Sequence, residues 1–157
     1  MWSVDNDEDF VVLRLDTTGT TVISAFGFGA STGSSERSYG LVYLEHEDAA
    51  VVTFLDQGAS CIYLSKVTMA TSTLIWSYKT CVGSSFTYSR YMTYDEVEKN
   101  IYFTSDYKDN YVFLCKIRSI DGIATFCIKF DGDDADYPYS MKIIGDFILL
   151  QGSSESS

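Results

Sequence analysis

Residues 101–130 read IYFTSDYKDNYVFLCKIRSIDGIATFCIKF. Ile101 to Thr104 is a run of β-branched and aromatic residues, and Asp106 to Asn110 is a polar, acidic turn. Tyr111 to Ile117 is a second apolar run, Asp121-Gly122 a tight turn, and the chain then returns apolar to Phe130. Side chains of this kind fit a pleated, half-buried surface, and Asp-Gly supplies the turn. The stretch therefore predicts strand, turn, strand, turn, strand.

The same order returns along the chain. Tyr111 to Ile117 lies 50 residues after Cys61 to Val67, with Leu64 matching Leu114, Lys66 matching Lys116 and Val67 matching Ile117. One strand later Trp76 matches Phe126 and Lys79 matches Lys129. Phe10 to Leu15 matches Ile62 to Val67, and Val22-Ile23 matches Leu74-Ile75. Val51-Val52-Thr53 aligns with Ile101-Tyr102-Phe103, and Phe147-Ile148-Leu149 ends the third copy. A period near 50 residues with four strands per period is the pattern of a β-propeller blade. The expected fold is all-β: three four-stranded antiparallel blades at about 9–55, 60–105 and 110–151, in one repeat domain spanning 1–157.

Bulk properties agree. One Pro, 12 Tyr and 10 Phe suit a strand-rich chain, and 46% hydrophobic residues supply a core. A formal charge of −11 leaves no basic stripe for nucleic acid and disfavours anionic membranes. No apolar run is long enough to span a bilayer as a helix. Gly27 to Gly40, Gly83 to Ser89 and Asp131 to Asp136 read as surface loops, and His46-Glu47-Asp48 as a hairpin tip. By repeat phase Met1-Trp2-Ser3 falls where a preceding unit ends. The expectation is a segment of a longer protein in which Met1 need not be the initiator. Three blades leave open edges, whereas closure protects strand edges. Either further blades or further copies of the chain complete the array.

Residues facing each other across a hairpin keep a constant sum of positions. The sums for Cys61 with Cys81 and for Cys115 with Cys127 differ by twice the 50-residue repeat, so both pairs share one register. If the hairpins centre on Thr71 and Asp121, each pair is directly opposite and close enough for a disulfide. The competing reading is four buried thiols. A one-residue slip would put each pair on opposite faces. Paired C-x-x-C knuckles for zinc are absent. Two disulfides imply an oxidising compartment, hence an extracellular or cell-surface protein.

Other chemistry is sparse in the sequence. Asp5, Asp7 and Asp9 alternate as in a calcium loop, although Phe10 stands where the sharp-turn glycine belongs. Asp131, Asp133 and Asp134 form a second set of hard oxygen ligands for calcium, and solvated acidic turns are the competing reading of both. His46 is the single histidine and sits among carboxylates without a nucleophile beside it. Tyr88, Tyr91, Tyr137 and Tyr139, with Tyr94, are candidates for stacking on a glycan or a partner side chain, against the alternative of packing between sheets.

The run Asp9 to Thr20, DFVVLRLDTTGT, followed by Val22 to Phe26, resembles the bacterial and protist β-propeller repeat. That family reads as an acid, a hydrophobic run, a basic residue, Leu, a Gly turn and an aromatic strand. Lys66 to Tyr78 with Trp76, and Lys116 to Phe126 with Gly122, repeat the order, and Asn100-Ile101-Tyr102-Phe103-Thr104 resembles its closing strand. Quinoprotein-like and Kelch-like propellers share the pattern. Thr71-Ser72 replaces the turn glycine in the second copy, and Val97 to Asn100 departs from the family's Asp-Gly-Asn turn. The resemblance implies a large extracellular or surface protein used for adhesion and scaffolding, and it carries over no catalytic residue. The expected function is a non-enzymatic structural or adhesive component that binds proteins, glycans or copies of itself through open edges. The alternative is part of a propeller enzyme, quinoprotein-like or glycan-active, with its site on other blades.

Overall fold

The computed structural model describes residues 10–28, 36–56, 61–81, 86–107, 111–131 and 136–154. They form twelve strands and one short 3-10 turn, Glu45–Glu47. The strands are β1 Phe10–Leu15, β2 Val22–Phe28, β3 Glu36–Leu44, β4 Ala49–Asp56, β5 Cys61–Thr68 and β6 Thr73–Cys81. They continue as β7 Phe86–Asp95, β8 Asn100–Tyr107, β9 Tyr111–Arg118, β10 Ala124–Asp131, β11 Asp136–Ile144 and β12 Phe147–Ser154. Every pairing is antiparallel. The all-β expectation holds, and among the described residues no helix is long and apolar enough to cross a membrane.

Lateral pairing groups the strands differently from the expected units. Two four-stranded sheets run β3-β4-β5-β6 and β7-β8-β9-β10, and the hairpins β1-β2 and β11-β12 stand as two-stranded sheets. The boundaries at 9–55, 60–105 and 110–151 are therefore displaced by half a repeat. The physical reason lies in the junctions. β4 pairs with β5 along its whole length, from Ala49 opposite Thr68 to Asp56 opposite Cys61, and β8 pairs with β9 in the same way. Each junction was expected to divide units, and instead lies inside a sheet.

Bulges fix the internal alignment. In β3-β4, β7-β8 and β11-β12 the register shifts at Tyr39, Arg90 and Tyr139, and the next pairs are Gly40 with Thr53, Tyr91 with Thr104 and Ser140 with Gln151. Thr53, Thr104 and Gln151 thus occupy one structural position. Val51 then corresponds to Tyr102, one residue on from the expected alignment with Ile101. In β1-β2, β5-β6 and β9-β10 the shift follows Arg14, Lys66 and Lys116. These three basic residues are equivalent, as are Val12, Leu64 and Leu114.

Sheets stack through their first strands, with β3 on β7 and β7 on β11. Between the two complete sheets lies the main core, built on Leu44, Val51, Leu55, Leu64, Phe103 and Ile117. On the other side of the first sheet Val12 and Phe26 of the β1-β2 hairpin pack on Val52, Val67 and Met69. Strands β3, β7 and β11 begin earlier than the loop reading of 27–40, 83–89 and 131–136 allows. Their polar starts, such as Glu36-Arg37-Ser38, pair beyond the bulge with the ends of β4, β8 and β12.

The turns between β1-β2, β5-β6 and β9-β10 share a backbone device. Gly19 (φ 72), Ser72 (φ 52) and Gly122 (φ 72) are all left-handed. Ser72 fills the place of the missing glycine and donates to the Ala25 carbonyl at 3.2 Å. At Gly122 a Cβ would meet Trp76 at 2.7 Å, so this turn can approach the first sheet only without a side chain.

Candidate interaction site

The four cysteines form the two expected pairs. Cys61 faces Cys81 and Cys115 faces Cys127 in register, with Cα separations of 4.3 and 4.1 Å. Those separations belong to non-hydrogen-bonded pairs of an antiparallel ladder. Each bond ties a buried strand to the outer strand of its sheet, since Cys61 and Cys115 are buried and Cys81 and Cys127 are exposed. β6 alternates exposed and half-buried residues, and besides the ladder and the disulfide it is held by half-buried Trp76 and Tyr78, which pack on the main core. Two disulfides fit an oxidising environment.

The equivalent basic residues organise contacts between sheets. Lys66 is buried, and its Nζ donates to Glu47 Oε2 at 2.5 Å and to the Ser119 carbonyl at 2.8 Å. Trp76 Nε1 donates to the same carbonyl at 2.9 Å. Ser119 belongs to the turn of the second sheet, so one lysine ties its own sheet's first turn to the next sheet. Lys116 repeats the first half of this arrangement, with Nζ donating to Glu98 Oε2 at 2.8 Å and lying over the Tyr102 ring at 5.5 Å. The Glu98 carboxylate, then the Tyr102 hydroxyl, hold its pKa above the usual lysine value. Arg14 donates to Asp48 Oδ1 at 2.7 Å, a link from the β1-β2 hairpin to the first sheet.

Lys116 stands at the wall of a cleft of about 490 Å³ between the second sheet and β11-β12. Asp95, Glu98, Tyr102, Asp146 and Phe147 also line it. Asp95 Oδ1 accepts the backbone N–H of Val97 and Glu98, which makes it a turn cap, and Glu98 is engaged by Lys116 and Asn100. These turn and ion-pair bonds build the wall. Further along the same gap Tyr137, Pro138, Leu150 and Val112 border a second, more apolar cleft of about 240 Å³.

The sequence candidates distribute as follows. Tyr137 faces Ser153 in register and lines the apolar cleft, while exposed Tyr139 sits at the bulge and accepts a hydrogen bond from Ser153 Oγ at 2.9 Å. These two tyrosines are thus brought together beside β12. Tyr91 lies half-buried on β7 in the neighbouring sheet, and Tyr94 packs on the main core. The backbone of Tyr88 is in β7 opposite Asp106, and its side chain lies outside what the structure describes. His46 occupies the exposed 3-10 turn at the hairpin tip. Asp131 ends β10; its side chain, with Asp5, Asp7, Asp9, Asp133 and Asp134, lies outside the described residues. Among the described residues no group of three His, Cys, Asp or Glu side chains comes together for a metal ion.

Residues that sequence reasoning missed are Glu47, Glu98 and Ser119, the partners of the equivalent lysines. The match of Lys66 with Lys116 was the available signal. No family model matches the chain, and no curated protein matches it either.

Proposed function

We propose that this chain is a non-enzymatic, extracellular or cell-surface scaffold of the β-propeller type, acting in structure or adhesion. The observation that carries the reading is the stack of equivalent sheets joined by a repeated cation. Lys66 links its own Glu47 to the next sheet's Ser119, and Gly122 lets that turn close on Trp76. Repetition of one junction is how a scaffold extends a surface without specialised side chains. Disulfides that staple outer strands support an extracellular place. The tyrosine-edged gap beside β12 is the surface offered to a protein or glycan partner.

Labelling intact, non-permeabilised source cells with an antibody to the chain, followed by alkylation mass spectrometry, tests the reading. The expected result is surface label and four blocked cysteines paired 61–81 and 115–127. Label only after permeabilisation, with four free thiols, would contradict it.

A further inference from the structure

Strands β1 and β12 each keep one side without a partner strand among the described residues. Their identities are complementary. β4 and β8 are each the second strand of a sheet, and by the bulge alignment β12 is their equivalent. β5 and β9 are each the third strand, and β1 is theirs. The chain thus holds the first half of one sheet at β11-β12 and the second half at β1-β2.

We infer that β12 of one copy pairs with β1 of a second copy, and β12 of the second with β1 of the first, closing a two-copy ring. The inference rests on the scaffold reading above and names its partner. The internal junctions β4-β5 and β8-β9 are the template, because the proposed contact continues the same pairing. Thr53 faces Leu64 and Thr104 faces Leu114, so Gln151 faces Val12 of the other copy. Leu149 then faces Arg14, and Leu150 faces Leu13.

Three further observations agree. Leu149 is 55% exposed and Leu13 52%, whereas Val51 and Ser65, on the same two strand positions of a complete sheet, are buried. An apolar cleft of about 250 Å³ bordered by Leu13, Leu41, Tyr43 and Met69 lies where β11-β12 of the second copy would stack on β3, as β7 and β11 stack within one chain. Charges also match. Lys66 meets Glu47 and Lys116 meets Glu98 on the first turn of their own sheets, and the acid on the β11-β12 turn is Asp146. Asp146 of the second copy is therefore the own-sheet partner of Arg14. Closure also suits the count. Among the described residues two complete sheets and two halves make three units per copy, and two copies make six, within the roughly four to eight at which such rings close. A head-to-tail contact that closes completes both half-sheets and leaves neither β1 nor β12 as an edge.

The test is the native mass of the purified 157-residue chain, followed by paired cysteine variants. The mass expected is about 35 kDa, twice the 17.6 kDa chain, at micromolar concentration. The disulfide pairs are non-hydrogen-bonded, and alternation along β5 and β9 makes Gln151 with Val12 a pair of the same kind. Gln151→Cys with Val12→Cys is expected to give a covalent dimer on non-reducing gels, and Gln151→Cys with Val11→Cys is not. By the same alternation the Leu150 N–H points to the free edge, so Leu150→Pro removes a pairing donor without breaking β11-β12 and is expected to give a monomer. A monomeric wild-type chain that keeps its β spectrum and both disulfides overturns the second-copy partner and leaves the scaffold reading standing. Loss of the β spectrum or of the cysteine pairing overturns both. A ladder of higher multiples, or a Leu150→Pro chain of undiminished mass, overturns the two-copy ring.

Discussion

The β4-β5 junction and the free edges of β1 and β12 are built from equivalent residues in opposite circumstances. Every residue of β4 is buried, because it has a strand on each side and a sheet or hairpin on each face. On β12, Phe147 is 72% exposed at the position where Ala49 is fully buried. The difference teaches that apolar content alone does not bury a strand. Lateral pairing and a covering sheet do, and where either is missing the same pattern becomes an adhesive edge.

The two equivalent lysines give the sharpest contrast. Lys66→Ala opens a cavity in the covered junction and removes the charged donor from the Ser119 carbonyl, for an expected loss of about 2–4 kcal/mol in urea unfolding. Below the concentration at which mass doubles, Lys116→Ala at the uncovered position is expected to cost below about 1 kcal/mol, since its partner Glu98 is largely exposed. Equal costs would mean that the covering sheet does not set the difference between them. Next come the staples. Replacing Cys115 and Cys127 together by Ala is expected to cost about 3 kcal/mol, the scale for loops of this length, and to free β10 first in hydrogen exchange. β2, which carries no cysteine, sets the unstapled reference within the same molecule.

Gly122→Ala asks whether the close approach between sheets matters. Its left-handed backbone and the nearby Trp76 ring predict a loss of about 1–3 kcal/mol and a shift in Trp fluorescence, whereas Ser72→Gly at the equivalent turn should be near neutral. The smallest effect belongs to Asp16. Its carboxylate accepts from the Thr18 hydroxyl and the Thr20 and Thr21 N–H groups, which hold its pKa down from 3.8 to about 2. A depressed folded value stabilises the β1-β2 turn fully above 3.8, and the contribution is lost as pH falls towards 2. Amide shifts of Thr20 and Thr21 should follow that titration and lose it in Asp16→Ala.

Much of this architecture was legible because turns and hairpins are local. Twelve strands, the acidic and glycine turns and the cysteine register follow from spacing within about 20 residues. Sheet grouping was not, because a periodic sequence gives the repeat length without its phase, and phase is set by whether β4 pairs with β5. The one-residue slip between Val51 and Ile101 has a related cause. A strand buried on both faces carries no alternation, so only the bulges at Tyr39 and Arg90 reveal its register. The cleft beside Lys116 escaped because Asp146 lies in a different hairpin from Asp95 and Glu98, and only the gap between sheets brings them to one wall.

Hydrogen exchange at Leu13 and Leu150 tests the complementary half-sheets most directly, with Ser65 and Phe103 as equivalent amides inside complete sheets. The account predicts that both edge amides become protected as concentration rises through the doubling of mass, approaching Ser65 and Phe103. Exchange at Leu13 and Leu150 as fast as in an exposed turn, at every concentration, would contradict it.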